Sequence, residues 1–215
     1  MLTACWSVKG GSGTTVVAAS LALVLARTTP GGVVLVDMAG DAPAVLGLPE
    51  PAGPGVSDWL AAGPEVPTDA LGRLEIAVGG DLSLLPRGLA GWDGADGERL
   101  AAALSSDSRH VVVDCGSSPA PAGWAIAGAA SLSLLVIRPC YLALRRAVAA
   151  PLRPSGVVLV SEPKRSLGAK DVEDVLGVPV RTCIAWDESI ARVVDAGLLS
   201  FRVPRSLERA VRAAA

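Results

Sequence analysis

Short apolar runs alternate with longer Ala- and Leu-rich stretches along the whole chain, and their spacing predicts its elements. LTACWSV (2–8) has the length of a strand, and TTVVAASLALVLART (14–28) the length and composition of a helix. GVVLVD (32–37) and DLSLLP (81–86) read as strands. VSDWLAAG (56–63) reads as a short helix with Ser57 or Asp58 near its cap, and DGERLAAALSS (96–106) as a helix. HVVVDC (110–115), SLSLLVIRP (131–139) and GVVLVSEP (156–163) are further strands, and VPVRTCIAWD (178–187) contains one. Between and after them, GWAIAGAA (123–130), YLALRRAVAA (141–150), AKDVEDVLG (169–177, stopped by Gly177), ESIARVVDAG (188–197) and SLERAVRAAA (206–215) are helical. Strands that are apolar throughout need cover on both faces. The expected class is therefore α/β: a mostly parallel sheet with helices on both faces, one domain over residues 1–215. In such sheets ligands bind at the carboxyl ends of the strands.

Composition narrows the picture. The chain has 215 residues, of which 51% are hydrophobic and 19% charged, enough for one sizeable core. No apolar run of about 18 residues is free of charges or Gly/Pro breaks, and the N-terminus has no basic stretch ahead of an apolar run. A cytoplasmic protein is expected. The four cysteines, Cys5, Cys115, Cys140 and Cys183, form no C-x-x-C pair and read as buried, reduced thiols. Residues 1–107 carry 5 basic and 12 acidic side chains, and residues 108–215 carry 14 and 9. That asymmetry marks either a basic contact surface or charges dispersed by the fold. The chain contains no Asn and no Gln, so no side-chain amide can read a base.

The chemistry-bearing stretch is SVKGGSGTT (7–15), between the first strand and the first helix. Gly10, Gly11 and Gly13 allow backbone N–H groups to close around phosphate oxygens, and Ser12 belongs to the same cradle. The helix N-terminus that follows favours an anion. Thr15 stands where a hydroxyl ligates Mg²⁺ in loops of this class.

KGGSGTT resembles the deviant Walker A loop of the ParA/MinD family, which typically reads K-G-G-x-G-K-[ST], and the resemblance runs along nearly the whole chain. VVLVDMAGDAPAVLGL (33–48) is similar to the family's switch I segment, and HVVVDCGSSPAP (110–121) to its Walker B strand and switch II. IAWDESIARVVDAGLL (184–199) is similar to a late segment near the base. The nearest flavour is the CpaE/TadZ branch of pilus-associated localisation ATPases, here without that branch's N-terminal receiver-like domain. The resemblance implies ATP and Mg²⁺ as ligands. Lys9 would reach across a nucleotide-dependent homodimer, and Asp114, Asp37 and Thr15 would hold the metal shell. Cations for phosphate and carboxylates for a hard cation make chemical sense. Ser161, Pro163 and Trp186 lie in segments where relatives contact the base. Implied partners are polar, secretion/pilus or partitioning machinery. Non-specific DNA binding through Arg138, Arg145, Arg146 and Arg153 or the basic tail competes with plain solvated helix faces. The last helix has little apolar bulk for membrane docking.

Two positions depart from the family pattern. Thr14 replaces the loop lysine; one charge-assisted hydrogen bond is worth roughly 1.5–3 kcal/mol, a factor of about 10–150 in affinity. Ala39 replaces an Asp that positions the attacking water, and Asp41 is the nearest substitute. Weak or absent hydrolysis is expected. The alternatives are a pseudo-ATPase scaffold that needs no nucleotide, and an enzyme of a related branch, either an electron carrier with a cluster near Cys115 or an amide-forming ligase. ATP, GTP and cyclic dinucleotides remain open as ligands.

Overall fold

The apolar runs become inner strands because each is covered twice. In strand β1 (Leu2–Ser7), Leu2, Ala4 and Trp6 enter one hydrophobic core and Cys5 enters the other. A computed structural model describes all residues, 1–215. Its other strands are β2 (Val33–Asp37), β3 (Ile76–Gly79), β4 (Leu82–Leu85), β5 (His110–Ser117), β6 (Leu132–Ile137), β7 (Gly156–Ser161) and β8 (Val180–Ala185). They form a single eight-stranded sheet in the order β3-β4-β2-β5-β1-β6-β7-β8. Every pairing is parallel except β3 with β4. The helices are α1 (Thr14–Ala26), α2 (Ala42–Leu46), α3 (Val56–Ala61), α4 (Gly97–Ser105), α5 (Pro121–Ala129), α6 (Tyr141–Val148), α7 (Ala169–Leu176), α8 (Glu188–Asp195) and α9 (Arg205–Ala214). They flank the sheet on both faces, as the pattern predicts. No helix is long and apolar enough to cross a membrane.

Three elements escape the hydrophobic pattern. β3 is four residues long, half exposed, and pairs on one side only. α2 has five residues, too few to show a period. Residues Thr68–Leu74 form a 3-10 helix. The cap of α3 also differs from expectation: Gly55 stands at the N-cap, and Asp58, inside the first turn, accepts its N–H at 2.8 Å. Of the cysteines, Cys5 and Cys115 are buried, while Cys183 is exposed on edge strand β8. His110 hydrogen-bonds Thr3 at 3.0 Å at the amino ends of β5 and β1, the opposite edge from the glycine loop.

α1 is apolar nearly all round, with Val17 through Val24 buried. It lies on β1, β2 and β5 and is covered in turn by α2 and α9. Leu207, Ala210, Val211 and Ala214 of α9 are buried there. Full burial of a Leu or Val side chain stabilises by about 1.5–3 kcal/mol, so the tail's apolar stripe serves the core. The basic stretches separate: α6 packs through Ala143, Leu144 and Ala147 on one face of the sheet, and α9 packs on the other. The arginines of α6 and α9 therefore lie on opposite sides of the sheet.

Candidate nucleotide site

The carboxyl ends of β1, β2, β4 and β5 meet at one cleft because parallel strands end together. After Ser7 the chain turns through Lys9–Gly13 into α1, with Gly11 at φ 74° and Gly13 at φ 84°. Three carbonyls of this turn are tied back to protein. Lys9 O accepts from Ser12 Oγ at 2.8 Å, Gly11 O from Arg138 Nη1 at 3.0 Å, and Gly13 O from Val17 N at 2.9 Å. The N–H groups of residues 10–13 have no protein acceptor, and the first N–H groups of α1 have none within the helix. Free donors on a loop with alternate carbonyls committed make an anion cradle.

This loop forms one wall of a cleft of about 680 Å³. Gly10 through Thr15 line it, facing Ala39 and Asp41 from the β2–α2 segment, Arg87 and Trp92 from beyond β4, and Cys115–Ala120. Lys9 is exposed and lies outside the lining. Asp41 is exposed at the start of α2. The Ala39 methyl packs against switch II, 3.2 Å from where a side chain on Gly116 would begin.

Asp37 ends β2 and pairs in register with Asp114, which follows the valine run of β5; both are fully buried. Asp37 spends its oxygens on its own loop, accepting N–H from Ala39 at 3.0 Å, Gly40 at 2.7 Å and Ala42 at 3.0 Å. Burial raises its pKa against the pull of those donors. Asp114 is less well served. Oδ1 accepts from Gly116 N at 3.0 Å, whereas Oδ2 is buried without a partner. Burial pushes its pKa up to about 7; the nearby Thr15 hydroxyl favours the charged form, and Asp37 opposes it. A buried, unpaired carboxylate oxygen beside a threonine hydroxyl at the foot of a phosphate cradle suits a hard divalent cation. Thr15 and Asp114 fit Mg²⁺.

On the other side of the loop lies a smaller, mostly apolar pocket of about 250 Å³. Gly11–Gly13, Val16, Ile184, Trp186 and Ile190 contribute to it. Arg138 sits 5.4 Å from the Trp186 ring centroid and pairs with Glu162, tying the glycine loop to the end of β7. Of the expected base-side residues, Trp186 lines this pocket. Ser161 contributes its carbonyl, which accepts Trp186 N at 2.7 Å. Pro163 lines a separate hollow with Glu162, Lys164, Arg165 and Trp186. Ile184 and Ile190 carry no base-side signal of their own in the sequence, because an apolar residue in a strand or helix reads as core until the fold leaves it at an opening.

Residues 86–90 are held on α3 by Asp58, whose carboxylate accepts N–H from Leu89 at 2.9 Å and Ala90 at 3.0 Å. Burial raises the Asp58 pKa, but the donors of Gly55, Leu89 and Ala90 outweigh it and hold it below the usual range. A depressed carboxylate stabilises the fold above its ordinary pKa of 3.8, and that support is lost as pH falls through the native value. Asp58→Ala is expected to cost about 1–2 kcal/mol at neutral pH, as for loss of a helix cap. In urea melts the gap from wild type should narrow below pH 4; a gap independent of pH would refute the assignment.

No protein-family model and no curated protein matches the chain. Solved structures do. A ParA family ATPase from Chlorobium tepidum superposes with a TM-score of 0.77 at 20% identity, over 98% of this chain and 96% of that one. The septum site-determining protein MinD of Pyrococcus horikoshii, complexed with Mg-ADP, gives 0.76 at 20% identity, over 99% and 94%. MinD in the MinC:MinD complex of Aquifex aeolicus gives 0.76 at 19% identity, over 99% and 93%. The fold is thus that of a P-loop NTPase. Within that class it is the ParA/MinD fold.

Proposed function

We propose that the chain is a nucleotide-binding switch of the ParA/MinD kind, acting in the cytoplasm and nearest the CpaE/TadZ branch. It takes up Mg-ATP, dimerises with it and turns it over slowly or not at all. The observation that carries this reading is the glycine loop with free N–H groups, facing the unpaired Asp114 oxygen across one cleft. One neighbour of the same fold is complexed with Mg-ADP, and another belongs to a MinC:MinD complex. Those complexes support a nucleotide ligand and a protein partner of a positioning or partitioning system.

Gly10–Thr15 would cradle the phosphates, and Thr15 and Asp114 would hold Mg²⁺, which neutralises phosphate charge when bound. Asp37 shapes the switch I loop through its backbone donors. Trp186 and the apolar pocket would receive the base. The exposure of Lys9 outside the cleft suits a cation offered to a partner's nucleotide. Hydrolysis needs a positioned water and stabilisation of the developing charge. Ala39 offers neither, and exposed Asp41 is the only carboxylate on that wall of the cleft.

Thr14→Lys is expected to tighten Mg-ATP binding by about 10–150-fold, the worth of one charge-assisted hydrogen bond, while phosphate release stays low. Lys9→Ala should bind as wild type yet fail to dimerise by light scattering. Calorimetry with ATP, GTP, ADP and cyclic dinucleotides tests the ligand. A Thr14→Lys protein that hydrolyses fast would show that Ala39 is no obstacle. The second reading, a scaffold that needs no nucleotide, draws on Thr14 and Ala39; it requires that no nucleotide gives heat.

A further inference from the structure

Loss of the loop lysine leaves the phosphate cradle short of one cation, and the cleft contains another that is unspent. Several cationic side chains surround the loop. Arg138 is committed to Glu162 and to the Gly11 carbonyl, and Arg146 Nη1 donates to Val8 O at 3.4 Å. Lys9 lies outside the cleft lining. Arg87, just beyond β4, lines the cleft, enters no ion pair within 4.0 Å, and has its Nε buried without a hydrogen-bond partner. A guanidinium donor buried without an acceptor is costly unless an anion meets it.

The backbone seats this side chain firmly. Arg87 O accepts Ser57 N at 2.8 Å, Pro86 O accepts Val56 N at 2.9 Å, and Asp58 clamps the next turn. Its aliphatic stem lies over switch I at Gly40, where a side chain would begin 3.4 Å from Arg87 Cδ. With φ at 97°, Gly40 is also a position where an L side chain is strained. Glycine there keeps the place beside Arg87 open.

We propose that Arg87 replaces the missing loop lysine: from the switch I side of the cleft its guanidinium binds the terminal phosphate of a nucleoside triphosphate. The inference rests on the nucleotide-binding reading above. A planar guanidinium offers two parallel N–H donors to phosphate oxygens, a geometry that an ammonium lacks. Because it sits over Gly40, filling the terminal phosphate position also couples the ligand to the switch I loop.

Calorimetry with Mg-ATP and Mg-ADP on wild type, Arg87→Ala, Arg87→Lys and Arg87→Ala/Thr14→Lys decides it, with thermal melts confirming that each variant folds. Arg87→Ala should weaken Mg-ATP by about 10–150-fold and Mg-ADP less. Arg87→Lys should retain part of the affinity, and the double variant should regain it, since one cation then again faces the phosphates. Wild-type affinity in Arg87→Ala overturns the assignment and leaves nucleotide binding intact. A loss that Thr14→Lys does not restore overturns the replacement of charge, making Arg87 a packing residue. Absence of binding in the wild type overturns the nucleotide reading and this inference together.

Discussion

Asp114→Asn is expected to raise the stability of the ligand-free protein at pH 8 and to abolish Mg²⁺-dependent nucleotide binding. Asp114 is fully buried with Oδ2 unpaired. A carboxyl held at about 7 rather than its ordinary 3.8 means the charged form is disfavoured by an amount on the order of 4 kcal/mol. The sign follows from linkage. A raised native pKa means that the native state keeps a proton the unfolded chain has released. Stability is then full below pH 3.8, declines as pH rises, and has lost this contribution above about 7. Asn keeps the acceptor for Gly116 N, brings no charge, and does not titrate. The variant should therefore gain about 1–2 kcal/mol over wild type at pH 8, or about 2–8 °C in melting temperature, with the gain fading towards pH 4. Asp37 also has a raised pKa, and because the two carboxylates repel each other, removing the Asp114 charge relieves Asp37 as well, in the same direction as the expected gain.

Ligand reverses the order. A ligand at a hundred times its Kd stabilises the state it binds by about 2.7 kcal/mol, which wild type should show with Mg-ATP and Asp114→Asn should not. Thermal melts at several pH values, with and without Mg-ATP, measure both halves. Equal melting temperatures at pH 8, or a variant that Mg-ATP still stabilises, would mean that Asp114 is a structural carboxylate.

Gly47→Ala is expected to be among the most destabilising single-methyl changes in the chain, costing about 3–5 kcal/mol from left-handed strain plus overpacking. Gly47 ends α2 at φ 72°, and a Cβ there would be driven into the Gly197 carbonyl oxygen. Gly197 in turn would place its own Cβ 3.0 Å from Gly47 Cα. Two backbones meet with no side chain between them, beside a hydrogen bond from Ser200 Oγ to Leu46 O at 2.7 Å. The contact holds the switch I helix, and with it Ala39 and Asp41, to the segment after α8. The melting temperature should fall by about 6–20 °C. Gly63→Ala is the control: its φ is 90°, yet nothing lies within 4 Å, so it reports the backbone strain alone. Equal losses in the two variants would show that the α2–α8 contact is soft.

The order of elements was legible because its cause is local. Val33–Val36 and Val111–Val113 are unbroken apolar runs of strand length, as expected of strands covered on both faces. The glycine loop was legible for the same reason: its dihedral freedom and spacing are properties of adjacent residues. Asp37 and Asp114 were recognisable as the polar ends of apolar runs. β3 was not, since a half-exposed edge strand has no second face to write a pattern.

What adjacency cannot express is which groups lack a partner. The sequence alone determined that a phosphate cradle follows the first strand, that its usual lysine is Thr14, and that carboxylates follow the apolar runs of β2 and β5. Only the tertiary structure decided that Asp37 is consumed by its own loop while Asp114 keeps an unpaired oxygen. It also brought Arg87, more than seventy residues from the loop, to the cleft with its charge unspent. The physical reason is that hydrogen-bond satisfaction and desolvation depend on everything packed around a group, and most of those neighbours are distant in the chain.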